Sequence, residues 1–134
     1  MPLVVIDLLE GRSAEEVDAI SDAVHEAMVA LLHVPERDRF QLISQHGPAA
    51  FRFDRHYLDI DRSDAFVLVR ITLSVGRSTN AKQTFYRHLA TLLEERIALR
   101  SEDLAVVLVE NGREDWSFGR GQASYLELPR EAWR

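Results

Sequence analysis

Shifted by 65 residues, the sequence lies over itself. Gly11-Arg12-Ser13 falls on Gly76-Arg77-Ser78, Leu3 on Leu68, Ile6 on Ile71, Asp38 on Asp103 and Leu42 on Val107. Self-similarity at a fixed period means one supersecondary unit used twice. Leu3 to Leu9 is β-branched or large and apolar apart from Asp7, which suits a strand covered on both faces. Beyond Gly11-Arg12, Ser13 and Glu16 read as a capping box. Val17, Ile20, Val24, Met28 and Leu31 recur at helical spacing, predicting a helix over 14–32. Val34-Pro35 ends it, and Phe40 to Ser44 reads as a second strand. The second copy repeats the order: a strand over Phe66 to Leu73, a helix over 79–98 with Phe85, Leu89, Leu92 and Leu93 on its inner face, and a strand over Leu104 to Val109.

Right-handed crossovers in both βαβ units predict an α+β fold, a four-stranded mixed sheet with two helices on one face. Two helices cover one face only. The strands are apolar almost throughout, so the other face is expected to be hidden by another subunit. The expected organisation is a single domain over 1–134, with repeat one at about 2–45, repeat two at about 66–110 and an oligomerisation tail at about 111–134. The stretch from His46 to Asp64 is the least regular and reads as a loop with a short hairpin. Its aspartates lack the glycine and distal glutamate of a calcium loop. In the tail, Gly119 and Gly121 around Arg120 fit a tight turn between short strands, the second of them Ala123 to Leu128.

A length of 134 residues allows one core that buries roughly two-thirds of the unfolded surface. A net charge of −6, with 15 arginines scattered along the chain, argues against a nucleic-acid surface. The absence of cysteine excludes disulfides and thiolate metal sites. With no apolar run of about 18 residues and no signal-peptide pattern, no membrane role is expected and a cytoplasmic location is the default.

Pro2 directly follows Met1 at the head of the first apolar run. A small second residue normally permits removal of the initiator Met, which would leave a proline amine on a rigid ring. An unperturbed α-amino group titrates at about 7.7–8.0 and can exchange a proton near neutrality. Pro2 is otherwise simply a proline tolerated at a strand's first position. Asp38, just before strand two, could hold or activate a water beside such an amine, or be an exposed turn residue among Glu36, Arg37 and Arg39. Arg77 precedes a helix N-terminus, where backbone N–H groups already favour an anion and a guanidinium completes a carboxylate site. Arg12 occupies the same place in the first repeat, so Gly-Arg-Ser is alternatively only a shared turn. Trp116 and Phe118 read as interface core. The five histidines show no paired metal-ligand spacing, and no phosphate or dinucleotide fingerprint occurs, so no metal and no cofactor are expected.

Taken together, Pro2, the βαβ repeat, Val34-Pro35, Asp38-Arg39-Phe40-Gln41, Arg62-Ser63-Asp64, Gly76-Arg77 and Asp115-Trp116-Ser117-Phe118-Gly119 resemble the malonate semialdehyde decarboxylase branch of the tautomerase superfamily. The likeness runs from Pro2 to about Leu128. It implies a homotrimer of such subunits, in which Pro2 after Met removal is a cationic general acid. It further implies that Asp38 is its acidic partner, that Arg77 binds the substrate carboxylate, and that Trp116, Phe118 and Tyr125 form an apolar wall. One departure stands out: Val75 occupies a position where one form of the family carries a second arginine. A second form, with a single Gly-Arg, is nearer to Ser74-Val75-Gly76-Arg77.

The implied activity is cofactor-independent decarboxylation of a small 3-oxo acid, with hydration of an unsaturated acid alongside. The alternatives are keto-enol tautomerisation of a 2-oxo acid by the same amine acting as base, or a catalytically silent relative if Met1 is retained.

Overall fold

The computed structural model describes residues 2–133. Met1, and with it the question of its removal, lies outside the described residues. Two βαβ units follow one another: β1 (Leu3–Leu9), α1 (Ala14–Leu31) and β2 (Gln41–His46), then β3 (Val67–Ser74), α2 (Thr79–Ile97) and β4 (Leu104–Asn111). They share one sheet in the order β2-β1-β3-β4, parallel within each unit and antiparallel where β1 meets β3. The sheet is therefore mixed, as the repeat predicts.

The pairing obeys the repeat residue by residue. Val4↔Gln41 becomes Val69↔Val106 under the 65-residue shift, and Leu3↔Thr72 becomes Leu68↔Asp7. The units are thus related by a pseudo-two-fold axis through the β1–β3 ladder. The turns repeat as well, with Gly11 at φ 119° and Gly76 at φ 130°, values that only glycine adopts without strain. Both helices begin at a serine cap, Glu16 N–H donating to Ser13 Oγ (3.2 Å) and Ala81 N–H to Ser78 Oγ (3.1 Å). Only half of the expected capping box forms at Ser13, because the Glu16 carboxylate is engaged by Arg12 Nη1 at 2.8 Å.

The core lies between the helices and one face of the sheet. Val4, Ile6 and Leu8 of β1 and Val67, Val69, Ile71 and Leu73 of β3 pack on Ile20, Val24 and Met28 of α1 and on Phe85, Leu89 and Leu93 of α2. The opposite face leaves Leu3, Leu42, Val107 and Val109 exposed. At its middle, Asp7 accepts from Arg70 Nη2 at 3.0 Å and lies 2.7 Å from His46 Nε2.

Two connections differ from expectation. No hairpin forms between β2 and β3. Phe51, Phe53 and Phe66 instead cluster with ring centroids 4.5–5.8 Å apart, and a single 3₁₀ turn at Tyr57–Asp59 breaks the loop. Nor does the tail form strands: Ala123 to Leu128 contains a short helix, α3 (Ser124–Glu127), set between 3₁₀ turns at Arg113–Asp115 and Arg130–Trp133. The turn at Arg120 is present, with φ 62° between Gly119 and Gly121. Beyond it the aromatic residues pack on their own chain, so the tail has no ladder partner to hold it extended. No helix among the described residues is long and apolar enough to cross a membrane.

Candidate active site

The register assembles the site. Val4 N–H donates to Phe40 O (3.0 Å), one step before the β1–β2 ladder, so the head of β1 lies alongside the Asp38–Phe40 segment. Across the antiparallel ladder, Leu3 faces Thr72, which sets Pro2 beside the end of β3 and the turn to Arg77. Pro2 is buried there. One edge of the sheet thus gathers Pro2, Asp38 and Arg77 from three separate segments.

Local contacts aim the Asp38 segment. His25, buried on α1, donates from Nε2 to Glu36 O at 2.7 Å, and Asp38 N–H donates to Pro35 O at 3.0 Å. Arg39 turns the other way, onto Ser21 Oγ (2.8 Å) and Asp22 Oδ1 (2.7 Å) of α1. Asp38 is partly buried and lines the site, so it is not the exposed turn residue that spacing alone permits. Burial raises its pKa above the usual aspartate value, against the positive charge of the chain's amino terminus, His25 and Arg77.

Arg77 is held by two carbonyls, Nε donating to Leu32 O (3.0 Å) and Nη1 to Ser74 O (2.9 Å). Among the described residues it takes part in no ion pair, whereas its repeat equivalent Arg12 pairs with Glu16 and donates from Nη2 to Ala65 O at 2.7 Å. The reason is in the helix that follows, since the position matching Glu16 is Ala81. A shared turn thus carries an ion-paired arginine at one end of the sheet and, at the other, one whose nearby carboxylates Asp38 and Glu110 form no ion pair with it among the described residues.

The two aspartates diverge in the same way. Asp103, 1% exposed, accepts from Ser63 N–H and Ser63 Oγ, both at 2.7 Å, and from Arg100 Nε at 3.3 Å. Burial alone would raise its pKa, but those hydrogen bonds hold it below the usual value. At that edge residues 63–65 fill the space between Arg12 and Asp103. At the opposite edge the equivalent space, between Arg77 and Asp38, is a cavity of about 600 Å³.

The tail closes this cavity. Asn111 O accepts from Val75 N–H (2.9 Å), and Asn111 Oδ1 accepts from Trp116 Nε1 (2.8 Å), fixing where the tail leaves β4. From there the rings run in series, Trp116 stacked on Phe118 at 5.5 Å, Phe118 edge-on to Tyr125 at 5.5 Å and Tyr125 edge-on to Trp133 at 5.0 Å. An adjoining hollow of about 310 Å³ between Phe40, Phe118, Tyr125 and Trp133 also reaches Asp38. Burial, with a smaller contribution from Asp38, pushes the Tyr125 phenol up to about 12, so it stays protonated. Of the six residues singled out in the sequence, the structure sets Asp38, Arg77 and Tyr125 along the larger cavity and Phe118 along the adjoining one; Pro2 lies buried at the head of β1 and Trp116 stacks behind Phe118, and neither is among the lining residues.

It also adds Phe40, Ser74, Arg113, Arg130 and Trp133 to the lining. Arg113 carried a signal: it follows β4 directly, and in a parallel pair the end of β4 must lie beside the end of β3. Arg130 and Trp133 carried none, because only the folded tail returns them to the cavity.

A family model described as "Tautomerase enzyme" matches residues 38–119, and a second of the same description matches residues 2–54. The chain belongs to the tautomerase family. "Probable tautomerase YusQ" of Bacillus subtilis (strain 168) is 37% identical over 95% of this chain and 100% of its own length. Among solved structures, a malonate semialdehyde decarboxylase is similar at TM-score 0.87 and 40% identity, over 92% of this chain and 95% of that one. A second, FG41 malonate semialdehyde decarboxylase inhibited by 3-bromopropiolate, is similar at TM-score 0.86 and 36% identity, covering 92% and 94%. These matches place this tautomerase in the malonate semialdehyde decarboxylase-like branch, as the sequence motifs imply.

If the lack of an ion pair on Arg77 is what prepares this tautomerase for an anion, supplying a directly paired carboxylate should abolish the preparation. Ala81→Glu recreates the i,i+4 pair of the first repeat, and carboxylate ligands are expected to bind about tenfold more weakly. Titration calorimetry with a simple carboxylate is the check, and undiminished affinity would refute the argument.

Proposed function

We propose that this protein is a cofactor-independent enzyme that decarboxylates a small 3-oxo acid, with hydration of a related unsaturated acid as a side activity. The contrast between the two sheet edges carries the reading. Arg12 and Asp103 are bonded to protein groups, while the equivalent Arg77 and Asp38 line a cavity, and Pro2 is buried at the head of β1 beside the end of β3. Arg77 holds the substrate carboxylate, and Pro2, once Met1 is removed, donates to the 3-oxo oxygen. The bond between C1 and C2 breaks, its electron pair passes into the enolate, CO2 departs, and C2 then takes up a proton. A cationic donor at the carbonyl oxygen stabilises charge that exists only along this path. The wall of Phe118, Trp116 and Tyr125 excludes water and strengthens that interaction. Asp38 positions the substrate or activates the water of the side reaction. The exposed apolar sheet face supports a homotrimer in which neighbouring subunits cover it.

The name of the relative YusQ supports a second reading, in which the same amine is the base of a 2-oxo acid tautomerase. Release of CO2 against loss of enol absorbance separates the two. The assay belongs on protein whose intact mass lacks Met1; retention of Met1 in the native protein would remove the amine and leave a silent relative.

The pH dependence adds a check. Because the Asp38 pKa is raised, its carboxylate forms only above the ordinary value of 3.8, and the acid limb of the rate profile is expected above that pH and absent in Asp38→Asn. A raised pKa in the folded state also means that the ionised group opposes folding once the pH passes it. Asp38→Asn is therefore expected to melt no lower than the parent at pH 7, and a lower melting temperature would contradict the assignment.

A further inference from the structure

Arg77 is one of three guanidinium groups on the larger cavity. Arg113, in the turn after β4, and Arg130, at the start of the last turn, line it with Arg77, and Asp38 is the one carboxylate among the described lining residues. Among the described residues neither Arg113 nor Arg130 takes part in an ion pair, whereas Arg12, Arg39, Arg55, Arg70, Arg96 and Arg100 do. The Arg113 guanidinium lies 4.6 Å from the centroid of the Trp133 ring, a face contact that holds the fork and spares its edge N–H groups.

Two further observations point to a ligand. The Ser74 hydroxyl, only 9% exposed and on the same wall, has no hydrogen-bond partner among the described residues. His33, also on the wall, holds a left-handed φ of 56°, a strained value for a residue with a side chain. Three like charges around one cavity repel one another, and an anion relieves that repulsion.

We propose that the cavity takes a short dicarboxylate: one carboxylate on Arg77 beside Pro2 and Asp38, the second on Arg113 and Arg130. This rests on the reading of Arg77 as the carboxylate anchor and narrows it to a 3-oxo dicarboxylic acid. The second cation that the family likeness would place at Val75 is supplied instead from the tail. Anchors drawn from separate segments, the turn before α2 and the tail, can hold both ends of a chain, whereas two adjacent arginines would grip one end.

The test uses inert acids and needs no turnover, so it stands apart from success or failure of the decarboxylation assay. Glutarate and pentanoate have the same chain length and differ in one terminal carboxylate. By calorimetry at low salt, glutarate is expected to bind the intact protein at least about tenfold more tightly than pentanoate. In the double variant Arg113→Gln with Arg130→Gln the gap is expected to close to within about twofold. The charge-retaining double variant Arg113→Lys with Arg130→Lys should keep most of it, which separates charge from any effect on folding. Arg77→Gln should weaken both ligands. Equal affinities in the parent protein, or a gap that survives in the glutamine variant, would overturn the proposal.

Discussion

Arg77→Ala is expected to lower kcat/KM toward a 3-oxo acid by about a thousandfold while the protein stays folded. A charge-assisted, two-point contact to a carboxylate in a partly dry cleft accounts for several kcal/mol, and among the described residues no acid forms an ion pair with the guanidinium. Of the two carbonyls that Arg77 caps, that of Ser74 belongs to a residue lining the cavity, where water can replace the guanidinium, whereas that of the buried Leu32 loses its donor at a cost of about 1–3 kcal/mol. Arg77→Lys should recover only part of the activity, since an ammonium matches the charge but not the planar fork. Steady-state kinetics with a thermal melt of each variant reads both effects. Full activity in the alanine variant would remove the carboxylate anchor, and the proposed function with it.

Asp103→Ala is expected to have the opposite profile, a loss of about 3 kcal/mol of stability, or roughly 10 °C in melting temperature, through a contact far from the chemistry. Its carboxylate is nearly inaccessible and satisfies the N–H and hydroxyl of Ser63, and Arg100 joins it from the side. Removing it strands those donors under the long loop. The sign of the pH dependence follows from the depressed pKa. The contribution is complete above the unfolded value near 3.8 and disappears as the pH falls through the lower folded value. The difference between parent and variant should thus be widest near neutrality and shrink toward acid. Chemical denaturation at several pH values measures it, and a difference constant with pH would mean that packing, not the carboxylate, accounts for the loss.

Asp38 and Asp103 began as one residue pattern, as did Arg77 and Arg12. One member of each pair has become structural. The sequence matched them to each other but left their roles open, because the partners that decide them, Ser63 and Ala65, lie on a loop whose path no periodicity encodes. Glu16 against Ala81 was visible in the repeat and accounts for much of the arginine's divergence. The tail misled for a physical reason: Ala123 to Leu128 alternates enough to read as a strand, but a strand needs a ladder partner, and this segment meets side chains instead. Phe118 and Tyr125 were named from the family likeness, while their packing in one series of rings with Trp116 and Trp133 emerged from the folded tail.

What the sequence by itself determined is the doubled βαβ unit, with its four strands in one mixed sheet and its two helices on one face. Those follow from local periodicity and from a repeat that constrains its own pairing. What only the tertiary structure decided is which of the two equivalent edges is open. The residues that close one edge and line the other are brought there by irregular segments, through contacts between residues as far apart as Arg12 and Ala65 or Arg113 and Trp133. Irregular backbone has no repeating spacing to read, so its path is set by packing against surfaces that exist only once the sheet has formed.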